Sequence, residues 1–204
     1  DAIVSKAYSD ASNMSHIFGS QVTEYIIGDD VKGIGRSAFY DCSSLTSVTI
    51  GESVTSIGIA AFYGCSGLTN IHIPDGVTEL GNRAFKNCTG LTDVVIPNGV
   101  TGIGEEAFCG CTGLTSVVIP DSVVAVGEWA FYKCTSLTSA VCSAGLAEIG
   151  DIFSHCTALK SVVVPQGVTS LKGTFAGCIS LASVEIPDSV TTIGEGVFNG
   201  CSGL

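Results

Sequence analysis

The sequence predicts a repeat solenoid, a stack of coils with short parallel β-strands on one face and a short strand plus a helical turn on the other. Three observations predict it. Leu45, Leu68, Leu91, Leu114, Leu137, Leu159, Leu181 and Leu204 recur at intervals of 22 or 23 residues, and Val22 carries the series one step back. Phe39, Phe62, Phe85, Phe108, Phe131, Phe153, Phe175 and Phe198 keep the same beat, each three residues before Cys42, Cys65, Cys88, Cys111, Cys134, Cys156, Cys178 and Cys201. Glycine forms a third column at Gly35, Gly58, Gly81, Gly104, Gly127, Gly150 and Gly194. Self-similarity at a fixed period of this length means stacked units, each burying its apolar side against its neighbours.

Written from its leucine, the unit reads L-x-x-V-x-I-(P/G)-x-x-V-x-x-I-G-x-x-A-F-x-x-C-x-x, as in Leu91, Val94, Ile96, Pro97, Val100, Ile103, Gly104, Ala107, Phe108 and Cys111. The x-V-x-I stretch alternates with period two and is β-branched, so it forms a strand with Val and Ile inward. Pro74, Pro97, Pro120, Pro165 and Pro187 remove an amide donor and end that strand. The V-x-x-I piece is a second short strand, closed by the corner glycine. The x-x-A-F-x-x-C stretch is long enough for one helical turn, with Ala permitting close approach and Phe filling the core. Coils stacked about 4.8 Å apart would lay identical side chains in ladders and span roughly 40 Å.

The repeats run 22–44, 45–67, 68–90, 91–113, 114–136, 137–158, 159–180 and 181–203, one single solenoid that begins a ninth unit at Leu204. The break there reads as a piece of something longer. Repeats 6 and 7 each lose one residue before the Phe, at Gly150-Asp151-Ile152-Phe153 and Lys172-Gly173-Thr174-Phe175, which predicts a local pinch. Repeat 6 also puts Ala140 and Cys142 at the inward strand positions. Residues 1–21 carry no repeat but include Ile3, Val4, Met14, Ile17 and Phe18, as an N-terminal cap would, the alternative being a flanking disordered tail.

This pattern resembles the BspA-like class of leucine-rich repeat proteins, and the match covers residues 22–204 with ten positions in register. The resemblance implies a leucine-rich repeat fold. It also implies a cell-surface or secreted protein of the kind found in bacteria and protists, engaged in adhesion and protein binding. Similar repeats occur inside cells, so an intracellular or organellar complex is the alternative location.

Composition narrows the function. Eight Lys and Arg against nineteen Asp and Glu give a formal charge of −11, with no basic stripe to meet nucleic acid or anionic lipid. No apolar run is long enough to span a bilayer, so direct membrane insertion of this segment is not expected, and the N-terminus lacks a signal-peptide pattern.

The ten cysteines invite a metal or disulfide reading, but eight occupy one column rather than the clustered spacing of a zinc site. Buried free thiols are expected, with bridges between neighbouring coils the alternative. Cys142 is expected in the core, and Cys109, in the column of Tyr40, Tyr63, Lys86 and Tyr132, partly exposed. His16, His72 and His155 share no site by periodicity, and adjacent His155 and Cys156 do not make a nucleophilic pair. The glycines belong to corners, not to a phosphate-cradling loop. Asp29, Glu52, Asp75, Asn98, Asp121, Gln166 and Asp188 after the strand suit turns, a calcium-binding edge being the alternative. Two sequons, at Asn13 and Asn87, are close to chance. No enzyme, cofactor or metal is expected.

A protein partner is expected on the sheet face. Outward strand position four reads Ile26, Thr49, His72, Val95, Val118, Val141, Val163 and Glu185. Four valines in succession would make an apolar strip roughly 15 Å long, edged by Asp93, Ser116, Ser139 and Ser161, with His72 and Asp93 supplying polar contacts. The plainer reading is that Val simply suits a pleated strand. The opposite side offers Trp129, Tyr40, Tyr63 and Tyr132. Two functions compete: a surface adhesion or ligand-binding domain, and a structural accessory subunit or scaffold docked in a larger complex, favoured by the interrupted repeat at Leu204.

Overall fold

A computed structural model describes residues 22–204; the cap expected over residues 1–21, with His16 and the Asn13 sequon, lies outside the described residues. The chain winds as a parallel β-solenoid. On one face β1 (Glu24–Ile27) pairs with β3 (Ser47–Ile50), and β7 (Ser116–Val118), β9 (Ser139–Val141) and β11 (Ser161–Val163) form a second ladder. The adjoining face carries β2 (Gly33–Ile34), β4 (Ser56–Ile57), β5 (Glu79–Leu80), β6 (Gly102–Ile103) and β8 (Ala125–Val126) in one five-stranded parallel sheet. There β10 (Glu148–Ile149), β12 (Ser170–Leu171) and β13 (Thr192–Ile193) continue the stack. All pairings join equivalent residues of successive coils, such as Val118 to Val141 and Val141 to Val163.

A strand was expected in every coil. Repeats 3 and 4 keep the buried alternation, with Ile71, Ile73, Val94 and Ile96 inside, but hold no paired strand on the first face. Pro74 and Pro97 follow these segments, yet Pro120 and Pro165 follow β7 and β11, so proline is not the cause. One continuous core runs from Tyr25 to Val197.

The helical turn expected at A-F-x-x-C is not formed; the segment is a run of turns. Its amides alternate in direction. Phe62 N donates to Ala84 O of the next coil at 2.7 Å, Tyr63 N turns back to Ala60 O at 3.2 Å, Gly64 N reaches Lys86 O at 2.8 Å, and Cys65 N returns to Phe62 O at 3.2 Å. A helix would keep every amide within the segment and needs about 10 Å of width. Here the Phe rings of successive coils stack 5.0 to 5.3 Å apart from Phe39 to Phe131. Left-handed residues recur every fourth position, as at Arg83 (φ 60°) and Asn87 (φ 61°), which no helix accommodates. From repeat 1 to repeat 5 the turn side therefore stacks nearly as tightly as strands do, at about 4.8 Å.

The shortened repeats tighten within the coil, where Ile152 N bonds Gly150 O at 2.7 Å, while their stacking loosens: Phe131 and Phe153 lie 5.7 Å apart and tilted by 24°. Thr174, in the alanine column of repeat 7, is fully buried and donates its hydroxyl to Ile149 O at 2.7 Å.

Threonines add a stitch that the pattern did not suggest. Thr46, Thr92, Thr115 and Thr138 each donate a hydroxyl to the carbonyl of the threonine one coil earlier, at 2.9 to 3.3 Å. Such bonds stabilise by about 1 kcal/mol each when well shielded and by less at the surface, so they align coils more than they hold them.

Candidate functional site

The alternation of the first face decides which side chains are presented. Within β7, β9 and β11 the middle residues Val117, Ala140 and Val162 point inward, so Val118, Val141 and Val163 point out in direct cross-strand register. They are 60%, 37% and 56% exposed, and Val95 extends the stripe at 69%, on the repeat 4 segment that is not a paired strand. Asp93 and His72 are exposed on repeats 4 and 3. His72 Nε2 sits 3.3 Å from Glu52 Oε1, across one coil. The stripe is bordered by Ser116, Ser139 and Ser161, the last beside the exposed Lys160.

The turn side is organised differently. Tyr40 and Tyr63 stack at 4.6 Å, and Asn87 Nδ2 donates to Tyr63 OH at 3.4 Å. Further along, Tyr132 meets Trp129 at 6.5 Å and the edge of His155 at 5.4 Å, with Lys133 Nζ over its ring at 5.1 Å. Tyr132 is thus already engaged by its own neighbours, and Trp129 keeps 41% exposure.

Between these aromatic groups, Glu106 takes hydrogen bonds from Arg83 Nε and Lys86 Nζ, and its side chain is only 13% exposed. Burial alone would raise the Glu106 pKa, but the bonds and charges of Lys86 and Arg83 together outweigh it and hold the carboxyl below its usual value. A depressed folded pKa contributes stability at neutral pH that disappears as pH falls through it. The melting temperature of the wild type should therefore drop more steeply below about pH 4 than that of Glu106→Gln, measured by thermal melts across pH 7 to pH 3.

The cysteine column packs in the core and also hydrogen-bonds between coils. Cys65, Cys88, Cys111, Cys134, Cys156 and Cys178 each donate Sγ–H to the carbonyl of the Phe one coil earlier, at 3.0 to 3.2 Å. All ten cysteines are free. Cys109 was expected to be partly exposed and is instead 6% exposed. A short side chain between the long Lys86 and Tyr132 of its column lies sunk beneath them. Burial pushes the Cys142 and Cys178 thiols up to about 12, and Cys109 up as well. Thiolate is the reactive form. Alkylation of the native protein at pH 8 should therefore spare the buried column, and unfolding without reductant should expose most thiols to label; bridged thiols would refute the free ladder.

Two of the acids after the strand accept from the backbone of the next coil. Asp29 Oδ1 accepts from Glu52 N at 3.2 Å, and Asp121 Oδ1 from Ala144 N at 2.8 Å. Among the described residues no three His, Cys, Asp or Glu side chains are grouped to hold a metal ion, and no helix is long and apolar enough to cross a membrane.

Known proteins match this chain at the level of sequence and structure. The family model described as BspA type leucine rich repeat region matches residues 13–104 and 78–204, in 6 copies. The solved leucine-rich repeat protein of T. pallidum is 31% identical, with a TM-score of 0.73, over 82% of this chain and 79% of that one. A leucine-rich repeat protein from Eubacterium ventriosum shares the fold at 18% identity and TM-score 0.62, over 96% of this chain and 87% of that one. The pneumococcal vaccine antigen PcpA does so at 17% identity and TM-score 0.58, over 89% of this chain and 60% of that one. No curated protein matches the chain.

Proposed function

The chain belongs to the BspA-type leucine-rich repeat family, and on that premise we propose that it is a non-enzymatic protein-binding module, a cell-surface or secreted adhesion or ligand-binding domain. Its binding surface is the sheet face of repeats 4 to 7. One observation carries this reading: Val118, Val141 and Val163 stand exposed in cross-strand register with Val95 continuing the line. Apolar area of this kind, rimmed by polar side chains, is where partners pack. The His72 imidazole and Asp93 carboxylate supply polar contacts at its near edge. The family resemblance and an acidic, Lys-poor exterior support that location.

Each Val that a partner buries contributes on the order of 1 kcal/mol. Val118→Glu with Val141→Glu removes two such contacts and sets two charges on the interface without touching the core. Affinity capture should show proteins held by the wild type and by Trp129→Ala with Tyr132→Ala, but lost by the valine double variant. Retention by a folded valine variant, with loss by the turn-side variant, would move the site to the aromatic side.

A further inference from the structure

Resting on the reading that the sheet face is the binding surface, we propose that the partner it is built for is a second copy of this chain. The two sheet faces meet in an isologous dimer, about a two-fold axis that runs parallel to the strands between repeats 5 and 6.

A half-turn about that axis keeps each position along the strand and exchanges repeat 5 with 6, 4 with 7 and 3 with 8. Position four then sets Val118 against Val141 and Val95 against Val163, each twice, so the eight position-four valines of the two chains gather at the centre. The same operation sets His72 against Glu185, both exposed. Position two sets Asp93 against Ser161, beside Lys160. Lys160 stands where earlier coils carry threonine and the next carries Ala182, and Asp93 stands in a column that also holds Glu24 and Asn70 among serines. The half-turn brings this carboxylate and this ammonium together.

On a chain of net charge −11, copies meeting at an arbitrary face would set acid against acid. Here the like-charged match is Asp75 with Asp188, at the turn edge where solvent screens it; Asn98 meets Gln166, and Asp121 meets Ala144. Two sheets packed face to face approach to about 10 Å, the distance that interleaved valines fill. Six coils about 4.8 Å apart by one strand of about 13 Å cover roughly 400 Å² per chain and about 800 Å² in total, the low end for a weak, exchanging dimer.

Sedimentation velocity of the chain in low salt, over a concentration series, tests this. The wild type should move from monomer toward dimer with concentration. Asp93→Lys and Lys160→Asp should each weaken the dimer about tenfold or more, because each sets like charges together twice. The double exchange Asp93→Lys with Lys160→Asp should recover to within about threefold of the wild type, a coupling that independent sites would not show. Within one chain the two residues stand three coils apart, roughly 15 Å, so recovery requires two chains. All three variants alter exposed positions, and circular dichroism confirms that they remain folded. A wild type that stays monomeric throughout, or a double exchange as weak as the single ones, overturns the dimer. A monomeric wild type whose Val118→Glu and Val141→Glu variant still loses its captured proteins overturns the dimer alone and leaves the sheet-face reading standing. A dimer that survives those valine substitutions overturns its placement on this face.

Discussion

Replacing Phe108 by alanine should lower the unfolding free energy by about 3–5 kcal/mol, read as a shift in the midpoint of a urea titration. Phe108 is fully buried and stacks on Phe85 at 5.1 Å and on Phe131 at 5.2 Å. Its backbone is committed as well: N–H donates to Ala130 O at 2.7 Å, and the carbonyl accepts from Cys111 N at 3.1 Å and Cys134 Sγ at 3.2 Å. Loss of the ring opens a cavity that those fixed neighbours cannot collapse into. In a solenoid each coil is held only by its neighbours, so the damage uncouples repeats on both sides. Phe198→Ala is the comparison. That ring is half-buried and touches Phe175 at 5.8 Å, so its truncation should shift the midpoint by less than half as much. Equal shifts would mean that the ladder is not the source of stability.

The second large effect concerns the corner glycines. A Cβ on Gly127 would lie 2.3 Å from Glu105 N, 2.6 Å from Glu105 Cα and 2.7 Å from Gly104 C, all backbone atoms of the neighbouring coil. Backbone held by ladders does not give way as a side-chain tip does, so Gly127→Ala should destabilise by about 3 kcal/mol. Gly150 occupies the same corner in shortened repeat 6, and a Cβ there meets nothing within 4 Å. Gly150→Ala should therefore be neutral or stabilise by up to about 1 kcal/mol, through the unfolded chain's lost freedom. The denaturant midpoint should fall for Gly127→Ala and hold or rise for Gly150→Ala; an equal fall in both would show that the close approach of coils does not fix the column.

These contrasts show what was legible in the sequence. The inward columns were, because a register that repeats in every coil places Leu, Val, Ile, Phe and Cys inside without any knowledge of the turn between them. The outward valines were legible for the same reason, since period two leaves Val118 no choice once Val117 and Ile119 are buried. The turn was misread because A-F-x-x-C has the spacing of a helical face. The contrary signal was present one residue before six of the eight column cysteines, where Asp41, Gly64, Asn87, Gly110, Gly177 and Gly200 are residue types that tolerate positive φ. Cys109 was misplaced because exposure was inferred from longer residues in its column, whereas a short side chain takes shelter under them. The thiol donors were not legible, because a bond from Cys134 to the Phe108 carbonyl depends on an offset between coils that no single repeat encodes.

Valine-methyl NMR tests most directly whether the exposed valines of repeats 4 to 7 form the binding surface. With the captured partner, or with rising concentration of the chain itself, the methyl signals of Val95, Val118, Val141 and Val163 should shift and broaden. Those of Val54, Val77, Val100 and Val123, which are fully buried, should stay in place. Unmoved signals from the four exposed valines under saturating partner, with changes at Trp129 and Tyr132 instead, would contradict it.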